Sequence, residues 1–138
     1  MINTVVAPIY LTMIRKTKKN KNISLNMNWY RNVHFIENNN IKIMFLNHIT
    51  PQIEGLLFTG PVALEYNLYW SRLSDLDNWS SVVTKFFQDA LKDAGCIIDD
   101  NFHHIKKNTY EVVGQDKVNP RFEITISPYV PKNTTSHS

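Results

Sequence analysis

Hydrophobic positions alternate along some stretches of this chain and recur every third or fourth residue along others. Those two rhythms mark out its elements. Val62, Leu64, Tyr66, Leu68 and Trp70 share one face of an extended segment whose other face carries Glu65 and Asn67. Val62–Trp70 therefore reads as a strand, entered through the turn signal Gly60-Pro61. Trp79, Val82, Val83, Phe86, Phe87, Ala90, Leu91 and Ala94 follow helical spacing, with Asp77 or Ser74 as the N-cap and Gly95 just past the C-terminus. Tyr110–Val113 and Arg121–Ser127 read as two final, adjacent strands, and the polar segment 128–138 as a flexible tail.

The first third is less regular. Thr4–Ile14 is apolar and β-branched, a strand with Pro8 at an edge or bulge. The polar run 15–22 reads as a loop or hairpin tip, and 26–35 as extended or irregular. Asn38-Asn39-Asn40 marks a break. A short helix over 40–50, ending before Pro51, fits the spacing of Ile41, Met44, Phe45 and Ile49, although Ile41-Ile43-Phe45 also alternates. No repeat or linker divides the 138 residues, so one domain spanning 1–138 is expected.

Composition is that of a globular protein, and no apolar run approaches the roughly 20 residues of a bilayer span. The first residues lack the pattern of a secretory signal, so a cytoplasmic protein with no membrane partner is expected. A lone cysteine, Cys96, excludes a disulfide framework and a thiolate zinc site. The net charge of +3 conceals a division: Arg15, Lys16, Lys18, Lys19, Lys21 and Arg31 fall in a stretch with no acid, leaving the rest of the chain acidic. Such a run is either a solvated loop or a surface for a polyanion, and the second reading makes these six residues candidate polyanion contacts.

The candidate chemistry is acidic. Asp75 and Asp77 lie at a strand-to-helix junction, where residues two apart share a face if the backbone is extended. The helix beyond them ends near Asp99-Asp100. Clustered carboxylates repel one another unless a proton or cation compensates them, so convergence of the two groups would suit a hard divalent ion. Lys85 shares the polar face of that helix with Asn78. The plainer alternatives are a capping Asp77, an i,i+4 pair of Lys85 with Asp89, and a turn at Asp99-Asp100. His103 and His104 could offer at most one ring to such a site, and Trp29 and Tyr30 could stack on bases or pack inward.

The segment Asp75-Leu76-Asp77-Asn78, Lys85, Asp89-Ala90-Leu91, Gly95 and Asp99-Asp100 resembles the signature of the RusA family of Holliday-junction resolvases. Leu25 to Asn32, with Asn28, Tyr30 and Arg31, is similar to the Asn/Tyr/Arg segment that follows that family's first strand. The resemblance covers roughly residues 24 to 105. It implies an α+β fold, a small mixed sheet with helices packed on one face, and a phage- or prophage-encoded endodeoxyribonuclease acting in a bacterial cell. It also implies a homodimer that resolves four-way junctions in recombination and repair, with Mg2+ as cofactor and Mn2+ as a substitute. By motif, Asp75, Asp77 and Asp100 correspond to the catalytic and metal-binding acids and Lys85 to the catalytic lysine. Asn28, Tyr30 and Arg31 join the basic run as DNA contacts. The best-known members carry the lysine one turn nearer the acids, where Ser81 stands here. The rival expectations are a weak or inactive relative that binds branched DNA, and an interaction protein with a purely structural acidic cluster.

Overall fold

A computed structural model describes residues 3–131 of the chain. In order, its elements are β1 (Asn3–Pro8), β2 (Tyr10–Met13), β3 (Lys21–Ser24), α1 (Met27–Asn32), α2 (Phe35–Ile53), β4 (Val62–Trp70), α3 (Leu76–Asp93), β5 (Ile105–Gln115) and β6 (Arg121–Pro128). The fold is mixed: a four-stranded sheet in the order β1-β6-β4-β5, a separate β2–β3 hairpin, and three helices. β6 is antiparallel to β1 and β4, whereas β5 is parallel to β4. Much of the expected tail lies in 132–138, outside the described residues, and β6 itself extends to Pro128.

One face of the sheet is apolar. Val5, Ala7, Val62, Leu64, Tyr66, Leu68, Phe122, Ile124 and Ile126 are buried, while their neighbours along each strand are less so. Against this face lies the apolar stripe of α3, where Phe87 meets the Tyr66 ring edge-on at 6.2 Å. Each fully buried Phe, Leu or Ile here contributes about 1.5–3 kcal/mol relative to exposure.

Four expectations need correction. The Thr4–Ile14 strand is two strands in different sheets, divided after Pro8, whose missing N–H suits the edge position that β1 occupies. Residues 27–32 are helical: Asn26 caps the turn by accepting the Trp29 N–H at 3.0 Å. α2 runs through the three asparagines and through Pro51, because Ile41, Phe45, Ile49 and Ile53 form one buried ridge that outweighs weak local propensity. β5 and β6 are not neighbours; β4 lies between them. The short connection crosses the end of β4, held by Asp116 N–H on the Trp70 carbonyl at 2.8 Å. Arg121 pairs with Asp116 and Glu123 and lies over the Tyr69 ring.

Candidate functional site

α3 begins where β4 ends, and this junction organises one end of the molecule. Asp75 is the N-cap by backbone conformation, yet its carboxylate makes no capping hydrogen bond. Asp77 lies inside the first turn, so the two acids are not the extended i,i+2 pair of the sequence expectation. They nevertheless line one open cleft of about 640 Å³ together with Asn28, Arg31, Asn78 and Ser81. Both aspartates are exposed, and neither carboxylate has a hydrogen bond or ion pair among the described residues.

Asn78 ties the α3 side of the cleft to α1. Its side-chain oxygen accepts the Met27 N–H at 3.0 Å, and its amide donates to Ser74 Oγ at 3.2 Å. That pins the start of α1 to the start of α3 and brings Asn28 and Arg31 to the cleft rim. In the sequence Asn78 reads only as one residue of a polar stripe; its bridging role depends on α1, which the periodicity does not reveal. Ser81 donates to the Asp77 carbonyl at 2.8 Å and lines the cleft one turn along α3 from Asp77.

The basic run is anchored at the same end. Its hairpin packs through Tyr10, whose hydroxyl lies 2.9 Å from Ser71 Oγ and whose ring meets Trp79 at 5.3 Å. Arg72 and Lys117 border the groove beside it. Residues 14–20 form the tip, with Arg15 Nε donating to the Lys19 carbonyl. Lys16, Lys18 and Lys19 are exposed and unpaired among the described residues, as is Arg31. Lys21 is committed to Glu37 at 2.8 Å, and Trp29 Nε1 donates to the second Glu37 oxygen at 2.9 Å. The Lys21 hydrogen bond holds the Glu37 carboxyl below its ordinary value, against an opposing push from burial, and Trp29 adds to the lowering. Tyr30 is half-buried, packed with Trp29 against Phe86 rather than turned outward.

Asp100 stands elsewhere. β4, α3 and β5 form a β-α-β unit in which Ile105 pairs with Val62 and Gln115 with Trp70. The loop before β5 therefore lies at the start of β4, whereas Asp75 and Asp77 lie beyond its end. α3, with 18 residues, separates the two groups by about 27 Å. Asp99 is occupied locally: it accepts the Asp100 N–H at 2.8 Å, which holds its carboxyl low, and it faces Lys92 at 3.4 Å. Lys85 is exposed and is not part of the cleft wall, and Asp89 pairs with Lys42 of α2 rather than with Lys85. His103 is exposed in the Asp100 loop, with its N–H on Asn101, and His104 is also tied to Asn101.

The donor set at the cleft suits a hard cation to the extent of two carboxylates backed by amide and hydroxyl oxygens, since Mg2+ keeps several waters. No group of three or more His, Cys, Asp or Glu side chains able to share an ion is present among the described residues. Neither protein-family models nor curated proteins give a match to this chain.

Proposed function

We propose that this protein is a RusA-like, structure-selective endodeoxyribonuclease. It acts as a homodimer on four-way and other branched DNA in the cytoplasm of a bacterial host. The observation that carries this reading is the pairing of Asp75, Asp77 and Arg31, whose charges have no partner among the described residues, in one open cleft beside a basic hairpin at the same end.

Asp75 and Asp77 would hold Mg2+, or Mn2+ in its place, which supplies an activated water and neutralises charge on the phosphoryl oxygens. Lys16, Lys18 and Lys19 bind phosphates without reading sequence, and Arg31 holds the strand over the acids through a guanidinium fork. Asn78 keeps Arg31 in place by fixing α1, so Arg31 and the acids form one unit. The cleft is open to solvent, so a ligand larger than the cleft itself can lie across its mouth.

The positions of Asp100 and Lys85 outside the cleft favour a second reading, a relative that binds branched DNA without cutting it. A four-way junction assay separates the two. With Mg2+ present the wild type cuts, and Asp77→Asn binds without cutting. Binding without cutting under any divalent metal leaves the second reading. Absence of binding at low salt removes both and leaves an interaction protein.

A further inference from the structure

The loop between β4 and α3 and the turn between β5 and β6 are bonded to each other. Gln115 Nε2 donates to the Ser71 carbonyl at 3.3 Å, and the Asp116 N–H donates to the Trp70 carbonyl at 2.8 Å. The turn is also braced from within. Asp116 Oδ1 accepts the N–H groups of Val118 and Asn119 at 3.1 and 2.9 Å, and Arg121 donates to Asp116 Oδ2 and to the Asn119 carbonyl. This fixed frame holds two aliphatic side chains out in water: Val118 is 95% exposed and Leu73, on the loop bonded to the turn, is 88% exposed. One exposed aliphatic residue is ordinary, but here two stand on neighbouring, mutually bonded tips.

Each follows a cation. Arg72 precedes Leu73 and Lys117 precedes Val118; both cations are exposed, and neither has an ion-pair partner among the described residues. They border one groove of about 410 Å³ whose other wall is the basic hairpin, through Thr12 and Asn22. The carboxylates of the turn and of β6, Asp116 and Glu123, are taken by Arg121, so Arg72 and Lys117 remain for an outside anion.

We propose that Leu73 and Val118 form an apolar wedge that covers base faces opened at a DNA branch point, while Arg72 and Lys117 hold the flanking phosphates. This deepens the proposed function by naming what selects a branch, and it rests on the DNA reading. In a linear duplex every base face is covered, and prising one step apart costs a few kcal/mol. At a branch point the stack is already interrupted, so aliphatic groups gain the contact at a lower cost. The phosphate contacts are common to both forms and hold either one. Leu73 precedes Asp75 by two residues, which keeps their Cα atoms within about 7 Å. The branch contact therefore falls next to the acids of the cleft. Trp29 and Tyr30, the aromatic candidates for stacking, pack against Phe86 instead.

Fluorescence and binding titrations test the wedge, with divalent metal withheld so that no strand is cut. A four-way junction carrying 2-aminopurine beside its crossover should brighten when the wild type binds, as that base loses its stacking. Leu73→Ser combined with Val118→Ser should bind without brightening and should lower the preference for junction over linear duplex about ten-fold. Both side chains are exposed, so the thermal midpoint of this variant should match that of the wild type. Arg72→Ala and Lys117→Ala should each weaken junction and duplex binding alike, and flatten the salt slope by about one counterion. A double-serine variant that keeps both the brightening and the preference overturns the proposal, as does wild-type binding with no brightening. In either case the DNA reading still stands, whereas a wild type that binds no DNA at low salt removes both.

Discussion

Asn78 accepts the Met27 N–H at 3.0 Å, joining the first turn of α3 to the first turn of α1 across the cleft. Without this bond α1, which contains no fully buried residue, would be held mainly by the half-buried rings of Trp29 and Tyr30.

Asn78→Ala should therefore cost about 1–2 kcal/mol, because it strands a part-buried N–H. Asn78→Asp, which keeps the acceptor, should retain most of that stability. Urea midpoints of the three proteins measure the difference, and equal midpoints for wild type and alanine variant would show that α1 is held by other means.

Arg31 and Lys85 should separate in a junction-binding titration against salt. Arg31→Ala should weaken binding and flatten the salt slope by about one counterion. Lys85→Ala, about 12 Å along α3 from Asp77, should leave the cleavage rate within about three-fold. A larger loss with Lys85→Ala would return to that lysine the role its motif implies.

Glu37 links three elements, and its lowered pKa gives the link a pH window. The stabilisation is complete above the ordinary glutamate value of 4.5 and is lost as pH falls through the lower folded value. Wild type should thus melt above Glu37→Gln at neutral pH, and the gap should close on acidification below 4.5. A gap that stays constant with pH would assign the effect to packing.

The Tyr66 hydroxyl is buried with no hydrogen-bond partner among the described residues, and burial pushes its pKa upward. Tyr66→Phe removes an unsatisfied polar group while keeping the ring contacts with Phe87, Tyr110 and Phe122. Its thermal midpoint should be no lower than that of the wild type, and a gain of up to about 1 kcal/mol is expected. A loss would mean that the hydroxyl finds a partner.

The elements legible in the sequence are those with long, clean periods. β4 spans Val62–Trp70, as its alternation implies, and Phe86, Phe87, Ala90 and Leu91 give away the buried stripe of α3. α1 is not legible in the sequence because six residues show too little period and its stability comes from a cap and neighbouring rings. Asparagines and proline are local signals that break α2 in the sequence, whereas the buried ridge that carries it through them is a tertiary one. The order β5-β4-β6 depends on which edge β6 takes, which adjacency in sequence does not encode. At the site, the grouping of Asp75 with Asp77 is local and legible. The separation of Asp100 was available too, in the length of the helix, but the motif draws the acids together on paper where α3 holds them apart.

β1 forms one edge of the four-stranded sheet, where Gln52 accepts the Val6 N–H and donates to the Val6 carbonyl, each at 2.8 Å. A sheet that can grow at both edges adds copy after copy and builds a fibre, whereas a sheet with one sealed edge stops at a closed pair. By occupying the Val6 backbone, a single side-chain amide closes the β1 edge to an added strand, so the sheet cannot grow from that side.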